Sequence, residues 1–101
     1  MKEDRRIFHR IKKELPLKVK FLDYLIDGRS YDLSAKGIGI VLNRSLPYKE
    51  RVDLFISSPT IGRDLGLEGC VIWCKKLDRD CWRIGMEIDN LQLLLFSKLL
   101  G

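Results

Sequence analysis

Two short stretches hold the residues whose types and spacing suit ligand chemistry. The first is Arg6-Ile7-Phe8-His9-Arg10, an arginine pair with three residues between, extended on its N-terminal side by Arg5. Guanidiniums at that spacing on a flexible segment offer two planar forks to one anionic ligand, matching phosphate oxygens or the O6 and N7 acceptors of guanine. The second is Asp32-Leu33-Ser34-Ala35-Lys36-Gly37. On a strand, alternation sends Asp32 and Ser34 to one face and Leu33 to the other, setting a carboxylate beside a hydroxyl. An ionised Asp32 accepts the two N–H donors of a guanine Watson–Crick edge, the complement of arginines that donate to the opposite edge. Gly37 is expected to let the backbone turn with positive φ. Each stretch also has a plain reading: a solvated basic leader for the first, and for the second a strand-end turn in which Asp32 and Ser34 bond local backbone.

Charge supports the first stretch. Of a net +5 over 101 residues, +4 lies in residues 1–13, leaving a nearly neutral remainder. Long nucleic acid calls for a basic surface spread over the fold, so a short arginine-rich segment fits a small anionic partner better. Enzymatic classes lack their parts. His9 is the only histidine, no phosphate-cradling loop occurs, and Asp32 with Ser34 has no third member for nucleophilic catalysis. Cys70, Cys74 and Cys81 match no zinc spacing, and their odd number argues against a disulfide framework and for a reducing, cytoplasmic compartment. The longest apolar stretch, Leu91 to Leu100, is about half the roughly 20 residues a membrane span needs.

The elements that must position these residues read as one domain with 46% hydrophobic residues. Residues 1–13 form a flexible basic leader and 14–101 the folded body. Strands are predicted at Leu17 to Leu22, Arg29 to Leu33, Ile38 to Leu42, Arg51 to Ser57, Leu67 to Cys74 and Cys81 to Ile88, from period-two alternation and β-branched runs. Asp27-Gly28 is the expected hairpin turn between the first two, with Tyr31 and Leu33 on one face and Ser30 and Asp32 on the other. Ser58 to Gly66 reads as a loop, and Lys75 to Asp80 as the turn joining the last two strands. Cys70 and Cys74 are expected on one face with Ile72. Asp89 or Asn90 caps a closing helix from Leu91 to Leu100, whose broad leucine face covers the sheet or a second copy of the chain. Six short strands and a helix predict a small all-β antiparallel barrel.

Taken together, the two stretches resemble the PilZ domain, the bacterial receptor module for cyclic di-GMP. Its pattern is R-x-x-x-R before the first strand, then [D/N]-x-S-x-x-G across a later strand and turn, and both are complete here in that order. Gly85-Met86-Glu87-Ile88 is similar to the family's Gly-x-x-Phe strand, with Ile88 in place of the aromatic. The resemblance implies a six-stranded antiparallel barrel with a C-terminal helix, no catalysis and no metal or cofactor. It implies that Arg6 and Arg10 clamp guanine edges and phosphates, that Asp32 and Ser34 bind guanine and nearby polar atoms, and that Gly37 admits the backbone. Arg5 stands where the side chain influences whether one ligand or a stacked pair is held. The expected partners are cyclic di-GMP and a downstream protein, and the leucine face of the closing helix leaves a homodimer open as one of its two uses; the alternative is a PilZ-like protein–protein adaptor that binds nucleotide weakly or not at all.

Overall fold

The computed structural model describes residues 11–34, 37–58 and 62–88. All regular structure among them is strand: β1 (Ile11–Lys12), β2 (Pro16–Phe21), β3 (Tyr24–Leu33), β4 (Gly37–Leu42), β5 (Arg51–Ser58), β6 (Arg63–Asp78) and β7 (Cys81–Ile88). The expected closing helix and Arg5, Arg6 and Arg10 lie outside the described residues. Every pairing is antiparallel. The strand order β1-β3-β2-β5-β6-β7-β4, with β3 also pairing β4, closes six strands into a barrel and leaves β1 as a short addition along β3. Closure removes the unpaired edges an open sheet would carry. No helix among the described residues is long and apolar enough to cross a membrane.

Alternation builds the interior as expected. β2 reads exposed, buried, exposed along its length, sending Leu17, Val19 and Phe21 inward. Ile38 and Ile40 of β4, Leu54 and Ile56 of β5, and Ile84 and Met86 of β7 meet them there. Burying each such side chain contributes about 1.5–3 kcal/mol, enough for inward parity to dictate strand register.

The first hairpin is not where the sequence suggests. β2 turns into β3 at Leu22-Asp23, with Phe21 opposite Tyr24, and Asp27-Gly28 lies in the middle of β3. Asp27 stands opposite Lys18 and accepts a hydrogen bond from its ammonium at 2.6 Å, which holds the Lys18 pKa above its ordinary value. Gly28 is required by packing, because a Cβ there would run into the Leu42 side chain and the Val41 carbonyl. The turn instead takes a left-handed residue without glycine, Leu22 at φ 58°. At 68% exposure the Leu22 side chain does not itself offset that strain, which is met by the burial of Leu17, Val19 and Phe21 that this register allows.

β6 is also longer than the alternation implies. Gly66, expected in a loop, pairs with Phe55, and the turn into β7 narrows to Arg79-Asp80. A register shift between Val71 and Trp73 makes Ile72 an extra residue. It separates the cysteines: Cys70 lies opposite the exposed Glu87, while Cys74 lies opposite the buried Ile84 and packs on the core. Cys70, Cys74 and Cys81 are all free thiols.

Candidate functional site

Asp32 owes its position to a second bulge. Between Ser30 and Asp32 the β3–β4 register shifts, so that Ser30 faces Ile40, Asp32 faces Gly39, and Tyr31 is the additional residue. Parity changes at that point. Ser30 and Leu33 are both buried, and Tyr31 and Asp32 are both on the outer wall, in place of the strict alternation expected for this stretch. A Cβ at Gly39 would meet both the Tyr31 ring and the Asp32 carboxylate. The missing side chain therefore lets the two lie against the wall together.

The bulge at Ile72 repeats the device on the far side. Trp73 faces Gly85, and a Cβ at Gly85 would collide with the indole, so the ring rests on that glycine while remaining 40% exposed. Gly39 and Gly85 are themselves partners across β4 and β7. One row thus crosses the outer wall from Lys12, paired with Asp32, through Gly39 and Gly85 to Trp73. Asp32 and Trp73 are separated along the wall by three strand spacings, about 14 Å, and lean toward each other over the two glycines. Arg83, outward on β7 two residues before Gly85, lays its guanidinium over the Tyr31 ring at 4.1 Å from the centroid. Tyr31 and Arg83 also line an open cleft of about 320 Å³ with Lys12, Lys13 and Glu14.

Ser34 and Gly37 sit at the turn from β3 to β4. The Ser34 N–H donates to the Gly37 carbonyl at 3.0 Å. Its hydroxyl accepts from the Gly37 N–H at 3.2 Å and donates weakly back to the Gly37 carbonyl at 3.4 Å. Ser34 is only 3% exposed, so the hydroxyl is built into the turn and does not stand free beside Asp32 as alternation suggested. Gly37 does not adopt positive φ; among the described glycines only Gly62 does. It is required because a Cβ would strike the Met86 carbonyl where β4 meets β7.

The segment leading to these residues is fastened from beneath. Fully buried Ser30 accepts a hydrogen bond from the Leu15 N–H at 3.0 Å and donates its own to the Lys13 carbonyl at 2.6 Å. Backbone bonds from Ser30 N–H to the Leu15 carbonyl and from Lys13 N–H to the Tyr31 carbonyl complete the attachment. Ile11 to Lys13, expected within the flexible leader, accordingly lie along β3, with Ile11 opposite Leu33 and Lys12 opposite Asp32.

Sequence reading singled out Asp32, Ser34 and Gly37 and passed over Arg83, the outward placement of Tyr31 and Trp73, and the packing role of Gly39 and Gly85. Their only linear signal was glycine inside strand patterns at 39 and 85, a mark of close approach that does not say what approaches. Among the described residues no group of three or more His, Cys, Asp or Glu side chains is placed to hold a metal ion.

Comparison with known proteins agrees with this architecture. The chain is similar to the Bacillus subtilis inhibitor of motility, MotI/DgrA, at 22% identity and a TM-score of 0.73, over 95% of this chain and 49% of that one. It is similar to the PilZ domain of Escherichia coli YcgR, solved with c-di-GMP, at 20% identity and a TM-score of 0.71, over 95% of this chain and 86% of that one. The PilZ domain of CeSA from a cellulose-synthesizing bacterium aligns at 25% identity and a TM-score of 0.55, over 92% and 99% of the two chains. The chain thus spans about half of the MotI structure, and for MotI and YcgR the likeness is one of fold. No curated protein sequence matches it. The PilZ domain family model matches residues 4–100, a span holding both arginine and Asp-x-Ser motifs, and the chain belongs to the PilZ domain family.

Proposed function

We propose that the chain is a receptor for cyclic di-GMP, with Asp32 reading a guanine edge on the outer barrel wall while Arg6 and Arg10 close over the ligand. The observation that carries this reading is the pairing of Ile11 with Leu33 and of Lys12 with Asp32. Arg10 is bonded to Ile11, so its Cα is tethered about 3.8 Å from that of a residue paired beside Asp32. That covalent tether puts the end of the arginine motif within reach of a second motif more than twenty residues further along the sequence. Asp32 lies on a wall whose glycines seat the Tyr31 and Trp73 rings, and the half-exposed Trp73 indole is an apolar and π-bearing surface for a purine. Ser34 and Gly37 support the site by closing the turn behind Asp32.

In this reading Arg5, adjoining the clamp, adds a third guanidinium, which favours a stacked ligand pair through charge and stacking. Ligand capture by the leader changes the surface offered to a downstream protein, an order–disorder device needing only local charge neutralisation. The exposed hairpin tip, Leu22, Tyr24 and Leu25, is an apolar surface available to such a partner. The chain acts as a binding module without catalysis, in the cytoplasm. Isothermal titration with cyclic di-GMP tests the reading and gives the stoichiometry. Saturable binding at micromolar ligand, lost in Arg10→Ala, supports it; no heat at tens of micromolar ligand, or unchanged binding in Arg10→Ala, overturns it.

A further inference from the structure

We infer that Arg83, seated on the Tyr31 ring, is a ligand-binding arginine supplied by the barrel itself, and that it takes a phosphodiester oxygen of the cyclic dinucleotide over the Lys12–Glu14 cleft. The inference rests on the receptor reading above and extends it to residues outside both sequence motifs. Its geometric basis is the 4.1 Å stack of the guanidinium on Tyr31. A guanidinium's N–H donors all lie in its plane, so stacking through one face uses none of them. The other face and the donor edge stay available to a ligand.

Charge points the same way. The cleft holds the cations Lys12, Lys13 and Arg83 and one carboxylate, Glu14, which approaches Arg29 at 3.8 Å. Among the described residues no carboxylate lies within ion-pair distance of Arg83. The cleft adjoins Asp32, because Tyr31 precedes it in β3 and Lys12 faces it from β1. A ligand whose guanine edge is held by Asp32 therefore has its nearest phosphate beside a cationic recess. The Tyr31 shelf also lowers the entropic cost of binding by holding a long side chain in place before the ligand arrives. The extra residue in β3 serves both ends of the ligand: it turns Asp32 outward for the base and supplies Tyr31 to seat the arginine for the phosphate.

The experiment is isothermal titration of the full chain with cyclic di-GMP, comparing wild type with Arg83→Gln, Tyr31→Ala, Tyr31→Phe and the Tyr31→Ala/Arg83→Gln double variant. Arg83→Gln is expected to bind about tenfold more weakly, the scale of one charge-assisted contact. Tyr31→Ala should weaken binding nearly as much although it removes no charge, Tyr31→Phe should bind like wild type, and the double variant should be little worse than either single. Wild-type affinity in Arg83→Gln, or fully additive losses in the double variant, overturns this inference while leaving the receptor reading in place. Absence of binding by the wild type overturns both.

Discussion

Asp32 stands opposite Gly39 across β3 and β4, and the space a side chain would fill at Gly39 is taken by the Asp32 carboxylate and the Tyr31 ring. The site is thus defined as much by what is missing from β4 as by what β3 presents. Gly37, two residues earlier on the same face, is needed for a different reason: its neighbour is the backbone carbonyl of Met86. Side-chain tips can yield to an intruding Cβ, whereas a paired strand backbone cannot do so without losing register.

Substitution at these two glycines should separate binding from folding. Gly39→Val is expected to leave a cooperative urea transition close to that of wild type while reducing cyclic di-GMP affinity more than tenfold, since Asp32 and Tyr31 are displaced. Gly37→Val should shift the urea midpoint down by the equivalent of about 1–3 kcal/mol, the ordinary cost of overpacking. Equal destabilisation by both would show that side-chain displacement at Gly39 is not the cheaper path.

Asp32→Asn keeps size and replaces one acceptor oxygen by a donor. It is expected to weaken cyclic di-GMP binding by about 10- to 100-fold, the range for a hydrogen bond to a charged group, with little change in thermal stability. Titration calorimetry beside a thermal melt checks both halves.

Ser30→Ala removes a fully buried hydroxyl that joins two backbone groups, the Lys13 carbonyl and the Leu15 N–H. A loss of about 1–3 kcal/mol is expected from leaving those groups unsatisfied. Hydrogen exchange locates the effect: the Leu15 amide, with its acceptor gone, should exchange faster than amides of β5. Unchanged protection at Leu15 would mean that its amide is not held by this hydroxyl.

Leu54 is fully buried at the centre of β5, and Leu54→Ala should cost about 2–5 kcal/mol through lost transfer energy and the cavity left behind. Ligand affinity, measured where the variant remains folded, should be nearly unchanged, because Leu54 points into the barrel and Asp32 stands on its outer wall.

Much of the architecture was legible in the linear pattern because burial imposes period two on a strand. Val52, Leu54 and Ile56 announce β5, and Ile84, Met86 and Ile88 announce β7. The hairpin between β6 and β7 follows from two such runs flanking a short charged turn. The location of the first hairpin was not legible. Asp27-Gly28 is the stronger turn signal by local propensity, but the register satisfying Leu17, Val19 and Phe21 inward against Ile56 and Leu54 puts the turn at Leu22-Asp23. Tertiary burial outweighs the cost of one leucine in a left-handed conformation.

For the site, the sequence by itself determined the two motifs, their order and the chemistry their side chains offer. Only the tertiary structure decided which way those side chains face. A bulge is a relation between two strands, one carrying a residue more than its partner over the same length, and it reverses parity from that point on. Nothing local in Ser30-Tyr31-Asp32 or Val71-Ile72-Trp73 records it. Closure of the barrel through β3 and β4 and through β4 and β7 then set Gly39 beside Gly85, bringing Asp32 and Trp73 onto one wall and Arg83 over Tyr31. The Ser34 hydroxyl was drawn into its own turn for the complementary reason, since the Gly37 N–H it serves is buried with it and has no water to bond.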